Sequence, residues 1–137
     1  MILVLDACAM IAYLRGEPGG DVVGGLLADA ANRSYAHAVN VCEVYYDALR
    51  RGAPPGPTRL ADEAVALIEH AGVEIREDLD GDLWRHAAAR KAHRRMSLAD
   101  AFAVALTQRL GATLVTSDHH EFDAVAEERV CPVLFIR

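Results

Sequence analysis

Ile2-Leu-Val-Leu-Asp6 opens the chain with four apolar residues that stop on a carboxylate. A short apolar run without alternation describes a strand buried on both faces, the kind found in sheets covered by helices on either side. Thr113-Leu-Val-Thr-Ser-Asp118 repeats the pattern late in the chain, again with an acid after the strand. Between the two, helical stripes alternate with short strands. Ala7 to Leu14 reads as a short helix closed by Gly16 and Pro18, and Val22, Val23, Leu26, Leu27 and Ala30 form a second stripe weakened by Gly24 and Gly25. A strand is expected near Tyr35 to Val39, then a helix with Val41, Val44, Tyr45, Ala48 and Leu49 on one face, ending at Gly52. Ala-Pro-Pro-Gly-Pro, 53–57, is too short to separate domains and reads as a loop. Leu60, Ala64, Leu67, Ile68 and Ala71 make the next stripe, and Val73 to Arg76 a strand. Leu83 to Arg95 is helical with Leu83, Trp84, Ala87 and Ala88 inward. Ser97 to Leu110 is apolar nearly all round, hence a buried helix, and Val133 to Ile136 is a last strand. This alternation predicts an α/β sandwich with a mostly parallel sheet, in one domain spanning residues 1–137.

The 137 residues suit a single core, and 53% hydrophobic with 25% charged side chains is an ordinary globular balance. No apolar run is long enough to span a bilayer, and the opening residues lack the basic segment of a signal peptide. Cys8, Cys42 and Cys131 are widely spaced and odd in number, which points to a reducing compartment, the cytoplasm, rather than a disulfide framework. Fourteen basic side chains, of which only Lys91 is lysine, face 20 acidic ones for a net charge of -6. That excludes a passive nucleic-acid coat but leaves room for an enzyme that gathers carboxylates around cations.

Ligands of such sheets bind beyond the carboxyl ends of the strands. Asp6 and Asp118 fall at that edge. Asn40-Val-Cys-Glu43 and Ser97-Leu-Ala-Asp100 share a different grammar, a capping residue followed three positions later by an acid, which suits a helix start. There the free amides and the helix dipole hold a carboxylate ionised. Taken singly, each is an ordinary turn or cap residue; taken together, four acids from separate segments predict one acidic pocket. Oxygen-only clusters suit Mg²⁺ or Mn²⁺. Asp100 is the exception, since its helix follows another helix rather than a strand.

Val-Leu-Asp6-Ala-Cys-Ala, Val39-Asn-Val-Cys-Glu43-Val, Ser97-Leu-Ala-Asp100-Ala-Phe and Leu-Val-Thr-Ser-Asp118-His-His-Glu-Phe resemble the four acidic motifs of the PIN-domain nucleases, and most of all the VapC toxins of toxin–antitoxin pairs. The resemblance runs along essentially the whole chain. It implies a five-stranded parallel sheet flanked by helices and a Mg²⁺- or Mn²⁺-dependent endoribonuclease. It makes Asp6, Glu43, Asp100 and Asp118 the metal-binding and catalytic acids. Thr116 matches a hydroxyl residue before the last acid, and Asn40 and Ser97 are expected to support the acids at the helix starts. Where Ser, Thr or Asn is usual two residues after the first acid, this chain has Cys8, a poorer donor; Cys8 and Cys42 read as two small buried thiols without a role, with a redox pair as the alternative. The resemblance further implies an RNA substrate, a VapB-type antitoxin gripping the helices around Val22 to Leu27 and Tyr45, and a homodimer.

Other residues carry less. Asp123 is a candidate outer ligand and otherwise a solvated helix residue. His119 and His120 are adjacent and diverge on a helix or turn, while His86 and His93 share a helical face but lack partners for a zinc set. Arg85, Arg90, Lys91, Arg94 and Arg95 are the one dense basic segment. They lead to the Ser97–Asp100 helix start, and Arg90, Lys91, Arg94 and Arg95 are the candidate contacts to an RNA backbone. Tyr45 lies on the apolar stripe, whereas Tyr46 is freer to stack on a base. The rival readings are a degenerate, RNA-binding domain and a receiver-like phosphoacceptor. The receiver reading suffers from Ala7 after Asp6 and from a single lysine inside a helix. A haloacid-dehalogenase-type phosphatase would need an acid at Cys8.

Overall fold

Leu3 and Leu5 face one side of the first strand and Val4 the other, and all three are fully buried, as expected of a strand covered on both sides. The computed structural model describes residues 1–51 and 58–137. The expected helix end at Gly52 and the loop over 53–57 lie outside the described residues. The elements follow in the order β1 (Ile2–Leu5), α1 (Ala7–Arg15), α2 (Gly20–Ala28), β2 (Arg33–His37), α3 (Ala38–Arg51), α4 (Thr58–His70), β3 (Val73–Arg76), α5 (Gly81–His93), α6 (Leu98–Leu110), β4 (Thr113–Thr116), α7 (His119–Glu127) and β5 (Val133–Phe135). The five strands form one all-parallel sheet in the order β3-β2-β1-β4-β5. This is the α/β architecture expected of the alternation, with five strands.

Two cores sandwich the sheet. Val4 and Leu114 pack with Leu83, Phe102, Leu106 and Phe122 on the face covered by α5, α6 and α7. Leu3, Leu5 and Val115 pack with Met10, Val23, Val44 and Ile68 on the face covered by α1 to α4. α6 is buried nearly all round, from Ala99 to Thr107, so it runs through the middle of its layer. α1 and α2 lie close because Gly20 has no Cβ: one added there would run into the Ala12 carbonyl. Gly19, at φ 88, makes the turn between them, and a Cβ there would stand 2.7 Å from the Ile136 carbonyl oxygen.

Several expected details differ. β2 ends at His37, and α3 begins at once with Ala38, so Asn40 is no N-cap and Glu43 lies beyond the first turn. The imidazole of His37 serves the start of α3 instead: its Nδ1 accepts from the Val39 amide at 3.1 Å, and Nε2–H donates to the Asp78 carbonyl at 2.9 Å. His37 is fully buried and stacks on Phe102, with ring centroids 4.7 Å apart. On α5 only Leu83 and Ala87 are buried; Trp84 and Ala88 face solvent, and the Arg85 guanidinium sits 4.4 Å from the Trp84 ring centre. The stripe on α2 sends Val23 into the core and leaves Val22 exposed.

Candidate functional site

The strand order turns at β1, whose neighbours are β2 on one side and β4 on the other. Asp6 leaves β1 and Asp118 follows β4, so the two acids emerge from adjacent strands at the same edge. The pairing continues one step past the strand, with the Asp6 amide donating to the Val115 carbonyl at 3.2 Å. Asp6 then caps α1: its Oδ1 accepts from the Ala9 amide at 2.7 Å. Asp118 caps α7 in the same way, accepting from the Glu121 amide at 3.1 Å.

Thr116 joins these two acids. Its hydroxyl donates to Asp6 Oδ2 at 2.5 Å and accepts from the Asp118 amide at 2.9 Å. Both Thr116 and Asp6 are buried. Asp100 enters from α6, where Ser97 is the N-cap: the Ser97 hydroxyl accepts from the Asp100 amide at 3.0 Å and donates to its carboxylate at 2.6 Å. Asn40 explains how a helix that follows another helix reaches this edge. Its side-chain amide, fully buried, donates to the Ala99 carbonyl at 3.2 Å and so ties the start of α6 to the start of α3, which carries Glu43. The Asn40 Oδ1 atom has no partner among the described residues.

The charges of the acids act on one another pairwise. Burial pushes the Asp6 carboxyl up to about 7, against the pull of the Thr116 and Ala9 hydrogen bonds, and Asp100 and Asp118 add to the rise. Asp100 is raised by burial, with Glu121 and Asp118 contributing. Glu43 is raised by burial and then by Asp100. The Cys8 thiol is pushed up to about 12, first by burial and then by Asp6, Asp118, Asp100 and Glu43. The combined charge of these acids keeps Cys8 a neutral thiol and not a thiolate. Cys8, Cys42 and Cys131 are all free, and Cys8 and Cys42 are exposed rather than buried as expected, while Cys131 is buried.

Glu121 was not singled out from the sequence, yet its charge acts on Asp100 ahead of that of Asp118. The signal was available, since Asp118-His-His-Glu121 has the same cap-and-acid spacing as Ser97 to Asp100. Asp123, the acid considered instead, is turned to His119, whose Nδ1 lies 2.7 Å away. His119 also donates through Nε2 to the Arg137 carbonyl at 2.9 Å and stacks on Phe135 at 4.1 Å. It fastens α7 to the end of the chain rather than offering itself to a ligand.

In chemistry this oxygen-rich set fits a hard divalent cation, whose charge would relieve carboxylates crowded in a partly buried pocket. In placement, among the described residues no three His, Cys, Asp or Glu side chains converge as a ready ligand set. Each acid is engaged by local donors: Thr116 and Ala9 hold Asp6, Ser97 holds Asp100, and the Glu121 amide holds Asp118.

The basic segment is partly spent on the fold. Arg94 pairs with Glu128, and Lys91 donates to the Met96 carbonyl at 3.1 Å. Arg90 and Arg95 have no carboxylate partner among the described residues. Tyr45 packs toward α4 and donates to Asp62 at 3.0 Å, while Tyr46 is exposed.

No curated protein sequence matches the chain. Solved structures do, along nearly their whole length. VapBC2 from Rickettsia felis, solved with a DNA fragment from its promoter, superposes with a TM-score of 0.74 at 13% identity, covering 98% of each chain. VapBC-1 from nontypeable Haemophilus influenzae gives 0.71 at 17%, covering 99% of this chain and 98% of that one. VapC20 from Mycobacterium tuberculosis, described as a sarcin–ricin-loop-cleaving toxin, gives 0.70 at 20%, covering 90% and 94%. At these identities the likeness is one of fold. The sequence profile of the PIN domain matches residues 3–128, from the first strand through the helix that Asp118 caps, and the chain therefore belongs to the PIN-domain family.

Proposed function

We propose that this chain is a divalent-cation-dependent endoribonuclease and the toxin of a VapC-type toxin–antitoxin pair, active in the cytoplasm. The observation that carries the reading is the buried Asp6 carboxyl, joined through the Thr116 hydroxyl to the Asp118 amide, its proton affinity raised by burial and further by Asp100 and Asp118. Asp6, Asp100 and Asp118 would hold Mg²⁺ or Mn²⁺, with Glu43 as a further ligand or the group that orients the attacking water. Bound there, the cation supplies positive charge that polarises a phosphate oxygen and a water molecule. Glu43, whose proton affinity is raised by burial and then by Asp100, would take the proton from the water as the water's oxygen bonds to phosphorus. The bond from phosphorus to the 3′ oxygen breaks, and that oxygen takes up a proton, leaving 5′-phosphate and 3′-hydroxyl ends. Thr116, Ser97 and Asn40 keep the acids oriented, and Arg90 and Arg95 are the arginines available to the RNA backbone.

Among the described residues no helix is long and apolar enough to cross a membrane. The antitoxin reading finds support in a groove of about 240 Å³ between α1, α3 and α4, lined by Ile11, Leu14, Val44, Leu60 and Leu67 with Arg15 and Arg51 among its polar members. A VapB-type segment would lie there, along the helix that carries Tyr45, although the Val22–Leu27 helix expected to share in the grip does not line this groove; a homodimer is proposed on the same family likeness. Incubating the purified chain with total RNA, with and without Mn²⁺ and with an Asp6→Asn control, tests the enzyme. Cation-dependent cuts absent from the control are expected. RNA binding without cuts would establish the degenerate, binding-only reading instead.

A further inference from the structure

α3 starts at the acidic edge, and the face that carries Glu43 continues into further side chains as the helix runs away from that edge. At 100° per residue, Glu43, Tyr46 and Arg50 fall within roughly 60° of helix circumference, and Tyr46 stands about 5 Å along the axis from Glu43. Tyr46 is 42% exposed, whereas its neighbour Tyr45 is committed to Asp62 on α4. The Arg50 guanidinium lies 4.8 Å from the centre of the Tyr46 ring. Nearby arginines are occupied: Arg51 pairs with Asp47, and Arg15 with Asp47 and Glu17. Arg50 has no carboxylate partner among the described residues. One turn from Glu43 the helix thus presents an aromatic ring left out of the core, with an unneutralised cation from the following turn held against it.

We propose that Tyr46 and Arg50 form a platform for single-stranded RNA, on which a base next to the cleaved bond stacks while Arg50 meets its phosphate. This rests on the nuclease reading and adds the residues that seat the substrate. The physical need is plain: carboxylates repel the backbone that must approach them, and stacking attracts a base whatever its sequence. A guanidinium beside the ring then supplies the charge that the pocket lacks.

The test uses the full chain, in EDTA, with a single-stranded RNA oligonucleotide containing 2-aminopurine, whose fluorescence falls on stacking. The unaltered protein is expected to bind and quench. Tyr46→Ala should weaken binding roughly tenfold and abolish the quench, and Tyr46→Phe should restore both. Arg50→Ala should weaken binding and flatten its dependence on salt by about one phosphate contact. Tyr46→Ala binding and quenching like the unaltered protein would overturn the platform alone. So would intact RNA binding with altered sedimentation, which would make this face a protein interface. If the unaltered protein binds no RNA in EDTA, the platform falls, while the nuclease reading is decided separately by the Mn²⁺-dependent cleavage assay with its Asp6→Asn control.

Discussion

A single hydroxyl sets the balance of the acidic pocket. Thr116 donates a hydrogen bond to Asp6 Oδ2 and accepts one from the Asp118 amide, so its loss leaves a buried carboxylate oxygen and a backbone donor without that partner at once. Thr116→Val, nearly the same shape, should cost about 2 kcal/mol in urea unfolding, and Thr116→Ser should recover most of it. Asp6 itself works against folding near neutral pH. Its folded proton affinity, about 7, lies above the ordinary 3.8. Between those values the folded chain keeps a proton that the unfolded chain releases, so stability falls as pH rises and the full penalty is present above pH 7. Without divalent cations, Asp6→Asn should therefore raise the melting temperature at pH 8, with the gain shrinking toward pH 4, as followed by calorimetry. Glu121→Gln should lower the Asp100 titration midpoint, read by carboxyl-carbon NMR, because it removes a charge that acts on Asp100.

At the scale of elements, the helix starts do the positioning. Ser97 caps α6 through the Asp100 amide while also gripping the Asp100 carboxylate. Ser97→Ala is expected to cost about 1 kcal/mol, measured by denaturant unfolding, as a lost N-cap. α3 differs from its reading in the sequence for a definite reason. Asn40 is a residue type that favours caps, but β2 runs straight into α3 and His37 already serves the Val39 amide. The side chain of Asn40 is released to bond Ala99 across the layers, a contact no local pattern encodes. Trp84 is a similar case: its spacing agreed with an inward face, yet α5 meets α6 through Leu83 and Ala87, and the large ring stays outside with Arg85.

For the whole molecule, the acidic edge is a shared liability that a cation would relieve. On the proposed reading, Mn²⁺ at a hundred times its dissociation constant should stabilise the fold by about 2.7 kcal/mol. Thermal unfolding with and without EDTA would show a rise of several degrees, absent in Asp6→Asn. A melting temperature indifferent to Mn²⁺ would count against a cation in this pocket.

The chain's own order of residues was enough to locate β1, β4 and the buried α6, because alternation and burial leave their mark within a few neighbours. It also marked Asp6 and Asp118 as strand-end acids and Asp100 as a capped one, since caps and turns are local chemistry. Which acids share a field was settled only by the packing. Glu121 acts on Asp100 while Asp123, two residues on, is drawn to His119 by the four-residue repeat of α7. Asp100 reaches the edge because Asn40 holds the start of α6 against α3. Electrostatic neighbours are a matter of distance in space, and distance between segments far apart in the chain is decided by the sheet and the helices packed on it.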